Sequence, residues 1–421
     1  MFTVYLPSRK FMIIAVLCVA IVSILFASIH IVRSNRAHVV PVAATPVVTE
    51  VPPVLTPEPP STPPQIIRVP LPLEVRGIYW TALTAATKRG DELIDYMQKT
   101  GLNAVVIDLK MDDGELAFAP HDKTLEPYAM KKPAIKNIDG LLEKLANDHI
   151  YRIARIQVMK DNTFTGEHPD SGMKVASGGL WRDKTGAAWV DPSAPDVASY
   201  ALALAREAYA RGFDEVQFDY VRFASDGKIS SITFPFYNGT DLKVDVMKRF
   251  FASVGGPLRK EHIPVSFDVF GLVCMTNDGL GIGQRLDGVL ASADFVSPMV
   301  YPSHYAHGFQ GFQNPADHPY DVIKISLDHA LGLLLPPNIE ISSVKNADGS
   351  ETTSKKTIPP TKEGLAAAAK PLRPWIQDFD IGAVYTGPMI EAEIKAVRDA
   401  GGSGFLIWNA RNVYEPANYV K

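Results

Sequence analysis

The 421-residue chain is 46% apolar and 21% charged, the balance of an ordinary globular protein with ample material for a core. A formal net charge of −4, with no run of Lys or Arg, excludes the basic field that nucleic-acid binding needs. Of the two cysteines, Cys18 lies in an apolar N-terminal run and Cys274 far downstream, so neither a disulfide framework nor a thiol metal site is expected.

Arg9 and Lys10 precede 22 uncharged positions, Phe11 to Val32. As a helix this run would measure about 33 Å, enough to cross a hydrocarbon core of about 30 Å. It is longer than the apolar stretch of a cleaved signal peptide, and Ala27-Ser28-Ile29 is a poor cleavage site. Residues 1–35 are therefore expected to be a short tip and an uncleaved signal anchor. The chain would then be a single-pass protein of the cell membrane with its remainder on the extracytoplasmic side. From Ala37 to Leu73 there are eleven prolines, including Pro52-Pro53, Pro59-Pro60 and Pro63-Pro64. Such a segment forms neither helix nor ladder, so residues 36–73 are expected to be an extended linker.

Residues 74–421 alternate apolar strand-like runs with amphipathic stretches. The strand candidates are Arg76–Ala82, Ala104–Lys110, Tyr151–Met159, Glu215–Phe223, Pro264–Gly271, Phe295–Pro302, Arg373–Asp378 and Gly404–Arg411. Helical stretches between them include Asp91–Lys99, Ile138–Asn147, Asp196–Arg211 and Glu391–Ala400. Eight such repeats imply an α/β protein of the (β/α)8 TIM-barrel type. No GxGxxG follows the first strand, which weighs against an open doubly wound sheet. The polar stretch from Pro336 to Thr361 is expected to be a long loop, either a solvent-exposed insertion or a lid.

In a barrel of this type the site lies at the C-terminal ends of the strands. Side chains alternate along a strand, so parity separates barrel-facing from helix-facing positions. In the fourth strand Val216, Phe218 and Tyr220 share one face, and Gln217, Asp219 and Val221 the other, which aims Asp219 into the mouth. Arg222 follows, placed to pair with Asp219 or to bind substrate. In the fifth strand Val265, Phe267 and Val269 share a face, leaving Ser266 and Asp268 inward, with Asp268 beside Asp219. Two adjacent carboxylates drive their proton affinities apart, giving one ionised and one protonated group, the division of labour that glycoside hydrolysis needs. Asp378, ending the seventh strand, is a third candidate, and Asp108 on the second could hold sugar hydroxyls.

Trp80, Trp375 and Trp408 fall near the ends of strands one, seven and eight, which become neighbours on closure, and Tyr301 and His304 follow strand six. Aromatic faces around carboxylates suit a saccharide, so these five residues are candidate substrate contacts. No HExxH, EF-hand loop or GxSxG elbow occurs, and neither metal nor cofactor is expected. The expected partner is a polysaccharide or oligosaccharide. The rival readings are a non-catalytic saccharide-binding barrel and a tethered assembly factor of the envelope.

Arg76-Gly77-Ile78-Tyr79, the run Asn103 to Asp108, the run Gly212 to Phe223 and the run Ser297 to Tyr305 resemble a bacterial domain family known as "putative glycosyl hydrolase", of unknown specificity. The resemblance spans about Val75 to Asn412 and implies a TIM barrel distantly similar to the α-amylase-type hydrolases. In those, an Asp on strand four is the nucleophile, a Glu on strand five the acid/base and an Asp on strand seven the stabiliser. By position the resemblance gives these places to Asp219, Asp268 and Asp378. The sequence departs from the pattern in carrying Asp268 where the acid is a Glu.

Overall fold

Short runs dense in Val, Ile and aromatic residues, each followed by an amphipathic stretch, close into a barrel in which every strand is parallel to its neighbours. A computed structural model describes residues 66–346 and 350–420. The barrel strands are β1 (Val75–Trp80), β2 (Ala104–Asp108), β3 (Tyr151–Gln157), β4 (Glu215–Asp219), β5 (Val265–Phe270) and β6 (Phe295–Met299). After a hairpin, β7 (Asn338–Lys345) and β8 (Glu351–Ile358), the barrel resumes with β9 (Trp375–Gln377) and β10 (Gly404–Trp408), and β10 pairs back onto β1. All eight strand candidates are thus barrel strands.

Helices cover the outside. The crossovers are α1 (Lys88–Thr100), α2 (Ile138–Asn147), α3 (Pro195–Arg211), α4 (Lys243–Lys260), the short α5 (Leu286–Leu290), α6 (Pro319–Leu334), α7 (Lys362–Ala369) and α8 (Gly387–Asp399). Their starts follow local chemistry: Asn137 caps α2 by accepting from the Gly140 amide (3.0 Å), and Pro195 opens α3, where its missing N–H costs nothing. On α1 the buried Leu93, Ile94 and Met97 recur at helical spacing against the sheet. Outward strand residues such as Val105, Ile107, Val216, Phe218, Val265 and Phe267 join that helical layer in the main core. A smaller cluster fills the barrel itself, including Val75, Val106, Tyr151, Ile153, Trp375 and Leu406.

Two expectations are corrected. Pro336–Thr361 is not a structureless loop: β7 and β8 form an antiparallel hairpin in full register from Asn338↔Ile358 to Lys345↔Glu351. Both strands are polar and exposed, with Thr and Ile as their β-formers, so no apolar alternation marks them in the sequence. The linker also ends sooner than Leu73. From Ile66 the chain runs, without helix or strand, along the floor of the barrel, where Arg68 stacks on Tyr209 (3.7 Å) and the Val69 amide donates to Asp214 (3.0 Å). The apolar run Phe11 to Val32 and the remainder of the linker lie outside the described residues. Among the described residues no helix is long and apolar enough to cross a membrane.

Candidate active site

At the C-terminal mouth of the barrel lies a cleft of about 450 Å³, lined by Arg155, Asp219, Asp268, Trp375, Trp408 and Tyr301 among others. Its chemistry is organised by one guanidinium. Arg155 faces inward near the end of β3 and reaches carboxylates on the strands to either side. Nη1 pairs with Asp108 of β2 (2.5 Å), Nη2 pairs with Asp219 of β4, and Nε lies 3.6 Å from Asp268 Oδ2 on β5. Tyr79, inward on β1, donates its hydroxyl to the second oxygen of Asp108.

Phe218 and Phe267 are register partners, so Asp219 and Asp268, the next residues, face each other across one strand spacing of about 4.8 Å. Three aspartates thus share one arginine in a nearly sealed place; Asp268 is 1% exposed and Asp219 5%. Burial, reinforced by the Asp219 charge, holds the Asp268 carboxyl well above the usual carboxylate range and so favours its protonated form. Its Oδ1 accepts from the Trp375 indole (2.7 Å), while Oδ2 and Arg155 Nε are buried without a hydrogen bond. Burial likewise raises Asp108, against the pull of Arg155 and Tyr79. Arg155 is pushed upward, because Asp108 and Asp219 outweigh the opposing effect of burial.

Directly after Asp219 the backbone takes a left-handed turn at Tyr220 (φ 54°), uncommon for a residue with a side chain. The Tyr220 amide donates to Asp219 Oδ1 (2.6 Å), fixing the carboxylate at the strand end. Tyr220 lines the cleft while still packing against the main core. Gly271, just past β5, is a close-approach position: a Cβ there would meet the Met299 carbonyl oxygen at 2.3 Å.

Aromatic rings wall the cleft. Trp408 stacks on Tyr79 (4.0 Å between centroids) and meets Trp375 edge to face (5.5 Å). After β6, beside the Trp375 strand, Tyr301 packs edge to face on His304 (5.3 Å), whose imidazole burial keeps neutral by lowering its pKa. Arg222 borders the cleft between the faces of Phe270 (4.5 Å) and Trp189 (4.7 Å).

The structure therefore brings Asp219, Asp268, Arg222, Tyr301, His304, Trp375 and Trp408 to one cleft and leaves three expected residues outside its lining. Trp80 points the other way from Tyr79, into the layer beneath α1, where its ring lies 3.6 Å from the position of a Cβ on Gly90. Asp378 follows the inward Gln377 and so turns away from the barrel. Its carboxylate accepts from the Glu415 amide (3.1 Å), and burial pushes it up to about 7. Asp108 stands behind Arg155 and holds that guanidinium instead of lining the cleft. Arg155 and Tyr79 were not singled out from the sequence. The available signal was a positive charge on the inward face of an apolar strand, two positions from its end. Among the described residues no group of three or more His, Cys, Asp or Glu is placed to hold a metal ion.

The chain matches the family model described as "Putative glycosyl hydrolase domain" over residues 77–341 and 337–414. Similar solved structures include a hypothetical protein from Ruminiclostridium thermocellum ATCC 27405, 30% identical, covering 46% of this chain and 97% of that one, with a TM-score of 0.40. The glycoside hydrolase domain of PgaB (BpsB) from Bordetella bronchiseptica is 14% identical over 80% of this chain and 94% of that one, with a TM-score of 0.51, a likeness of fold. The spore cortex-lytic enzyme SleL of Bacillus megaterium QM B1551 is 13% identical over 85% and 74%, with a TM-score of 0.44. No curated protein matches the chain. With nearly the whole barrel covered by the family model, the chain belongs to this glycosyl hydrolase domain family.

Proposed function

We propose that the chain hydrolyses glycosidic bonds of a cell-envelope or extracellular polysaccharide, with Asp219 as nucleophile and Asp268 as proton donor. The observation that carries this is the pair of facing carboxylates on β4 and β5 that share Arg155, one of them raised in proton affinity by burial and by its neighbour. Asp268 gives its proton to the glycosidic oxygen as the C1–O bond breaks, and an Asp219 oxygen closes on C1 to form a glycosyl ester. Asp268, now ionised, takes a proton from water, which attacks C1 and releases Asp219. Adjacent strands favour the close carboxylate spacing of about 5 Å that goes with retention of anomeric configuration. Arg155 steadies the nucleophile, and Trp375 fixes the donor's other oxygen. Trp408, Tyr301 and His304 supply faces on which sugar rings stack, and Asp378 has no contact with the reacting groups. The run Phe11 to Val32 would hold the barrel at the extracytoplasmic surface of the membrane.

The test is reducing-end release by the full-length chain from a panel of envelope and exopolysaccharides, with product anomers followed by NMR. Release that disappears in both Asp219→Asn and Asp268→Asn, with products of retained configuration, is the expected result. Glycan binding without release, unchanged in both variants, would replace catalysis by saccharide binding.

A further inference from the structure

We propose that Arg222 receives an acidic substituent of the substrate sugar, a carboxylate, sulfate or phosphate, so that the cleft takes an anionic glycan; this rests on the hydrolase reading of the same cleft. The other buried arginines of the barrel each have a carboxylate in contact: Arg152 has Asp214, Arg155 has Asp108 and Asp219, and Arg373 has Glu215. Arg222 is buried too, with 7% of its surface exposed, yet among the described residues no carboxylate lies within ion-pair distance of it. Asp219, Asp226 and Asp183 act on it only through space.

Its position is fixed by neutral groups. Nη1 donates to the Phe223 carbonyl and the Ser225 hydroxyl (both 3.0 Å), and the guanidinium plane is flanked by Trp189 and Phe270. Among the described residues Nε and Nη2 make no hydrogen bond and are not sealed off, and Arg222 borders the cleft. A buried cation without a carboxylate in direct contact is costly, and a guanidinium with a free N–H edge matches the paired oxygens of an acid group. A sugar hydroxyl would fill part of that edge without supplying the charge of a direct ion pair.

The test measures affinities of the full-length chain for matched glycans: polygalacturonate against galactan, sulfated galactan against galactan, and phosphomannan against mannan. The pair showing the preference identifies the acid group. At least one acidic member should bind ~10-fold or more tightly than its neutral counterpart, with the advantage abolished in Arg222→Gln. Arg222→Lys, which keeps the charge and loses the fork, should retain part of it; thermal melting checks that each variant is folded, and the Lys variant is decisive if the Gln variant is not. A preference for neutral members, no binding of any acidic glycan, or a preference that survives in Arg222→Gln would overturn the proposal. Its failure is separable from that of the hydrolase reading. Neutral glycans that are cleaved, with no acidic member bound more tightly by the wild type, would sink only the anion site. Arg222-dependent binding of an acidic glycan that is never cleaved would sink only catalysis.

Discussion

The two ends of the barrel bury the same kinds of residue in different proportions. At the floor, charges match one to one. Arg373 forks onto Glu215 inside the barrel, where Tyr151 and Ser266 complete the carboxylate's hydrogen bonds. Arg152 forks onto Asp214 (2.8 and 2.6 Å) on the helix side, and the same carboxylate anchors the Val69 amide. At the mouth, three carboxylates, Asp108, Asp219 and Asp268, gather around Arg155, and the proton affinity of Asp268 is driven up. A matched buried pair holds the chain in register, whereas an unmatched cluster stores reactivity at the expense of stability.

The largest expected effect falls at the mouth. Asp219→Asn should lower kcat by about 10⁴-fold, roughly 5.5 kcal/mol of transition-state stabilisation, with unfolding free energy changed by no more than about 1 kcal/mol. At the floor the effects should reverse. Glu215→Gln strands Arg373 in the interior and should cost about 3–5 kcal/mol of stability in denaturant titrations, while the molecules that remain folded keep their turnover.

A pH series sharpens the contrast. Asp268 and Asp378 both have folded-state pKa values raised above the unfolded ones, so the unfolded chain releases these protons first. Their contribution is complete below the unfolded value of about 3.9 and is lost as pH rises through the folded value, which for Asp378 is about 7. Melting temperature should therefore fall between about pH 4 and pH 7, less steeply in Asp378→Asn, whose activity profile should keep its wild-type shape. The smallest effect concerns the proton donor. Trp375→Phe removes the indole hydrogen bond that favours ionised Asp268, so the alkaline limb of the pH–rate profile should move up by about half to one unit.

The strands were legible because a barrel strand must be apolar on its helix-facing side, and turn residues or amphipathic runs bracket each one. Parity then aimed Asp219 and Asp268 inward, since Phe218 and Phe267 left no doubt about the opposite face. The same argument had nothing to work on in β1: Ile78, Tyr79 and Trp80 are all apolar enough for either face, and Trp80 stood in for its neighbour. At β9 the polar Gln377 and Asp378 look alike in sequence, and only the barrel shows that Gln377 takes the inward place. Arg155 was obscured for a different reason. Its function depends on carboxylates 47 and 64 positions away, a relation that only strand order creates.

The most direct test places the two ends side by side: reducing-end release per folded molecule, together with thermal melting, for Asp219→Asn and Glu215→Gln. The account predicts that Asp219→Asn melts like the wild type and releases no reducing ends, while Glu215→Gln melts lower and retains release in its folded fraction. Full release by a well-folded Asp219→Asn protein would contradict it.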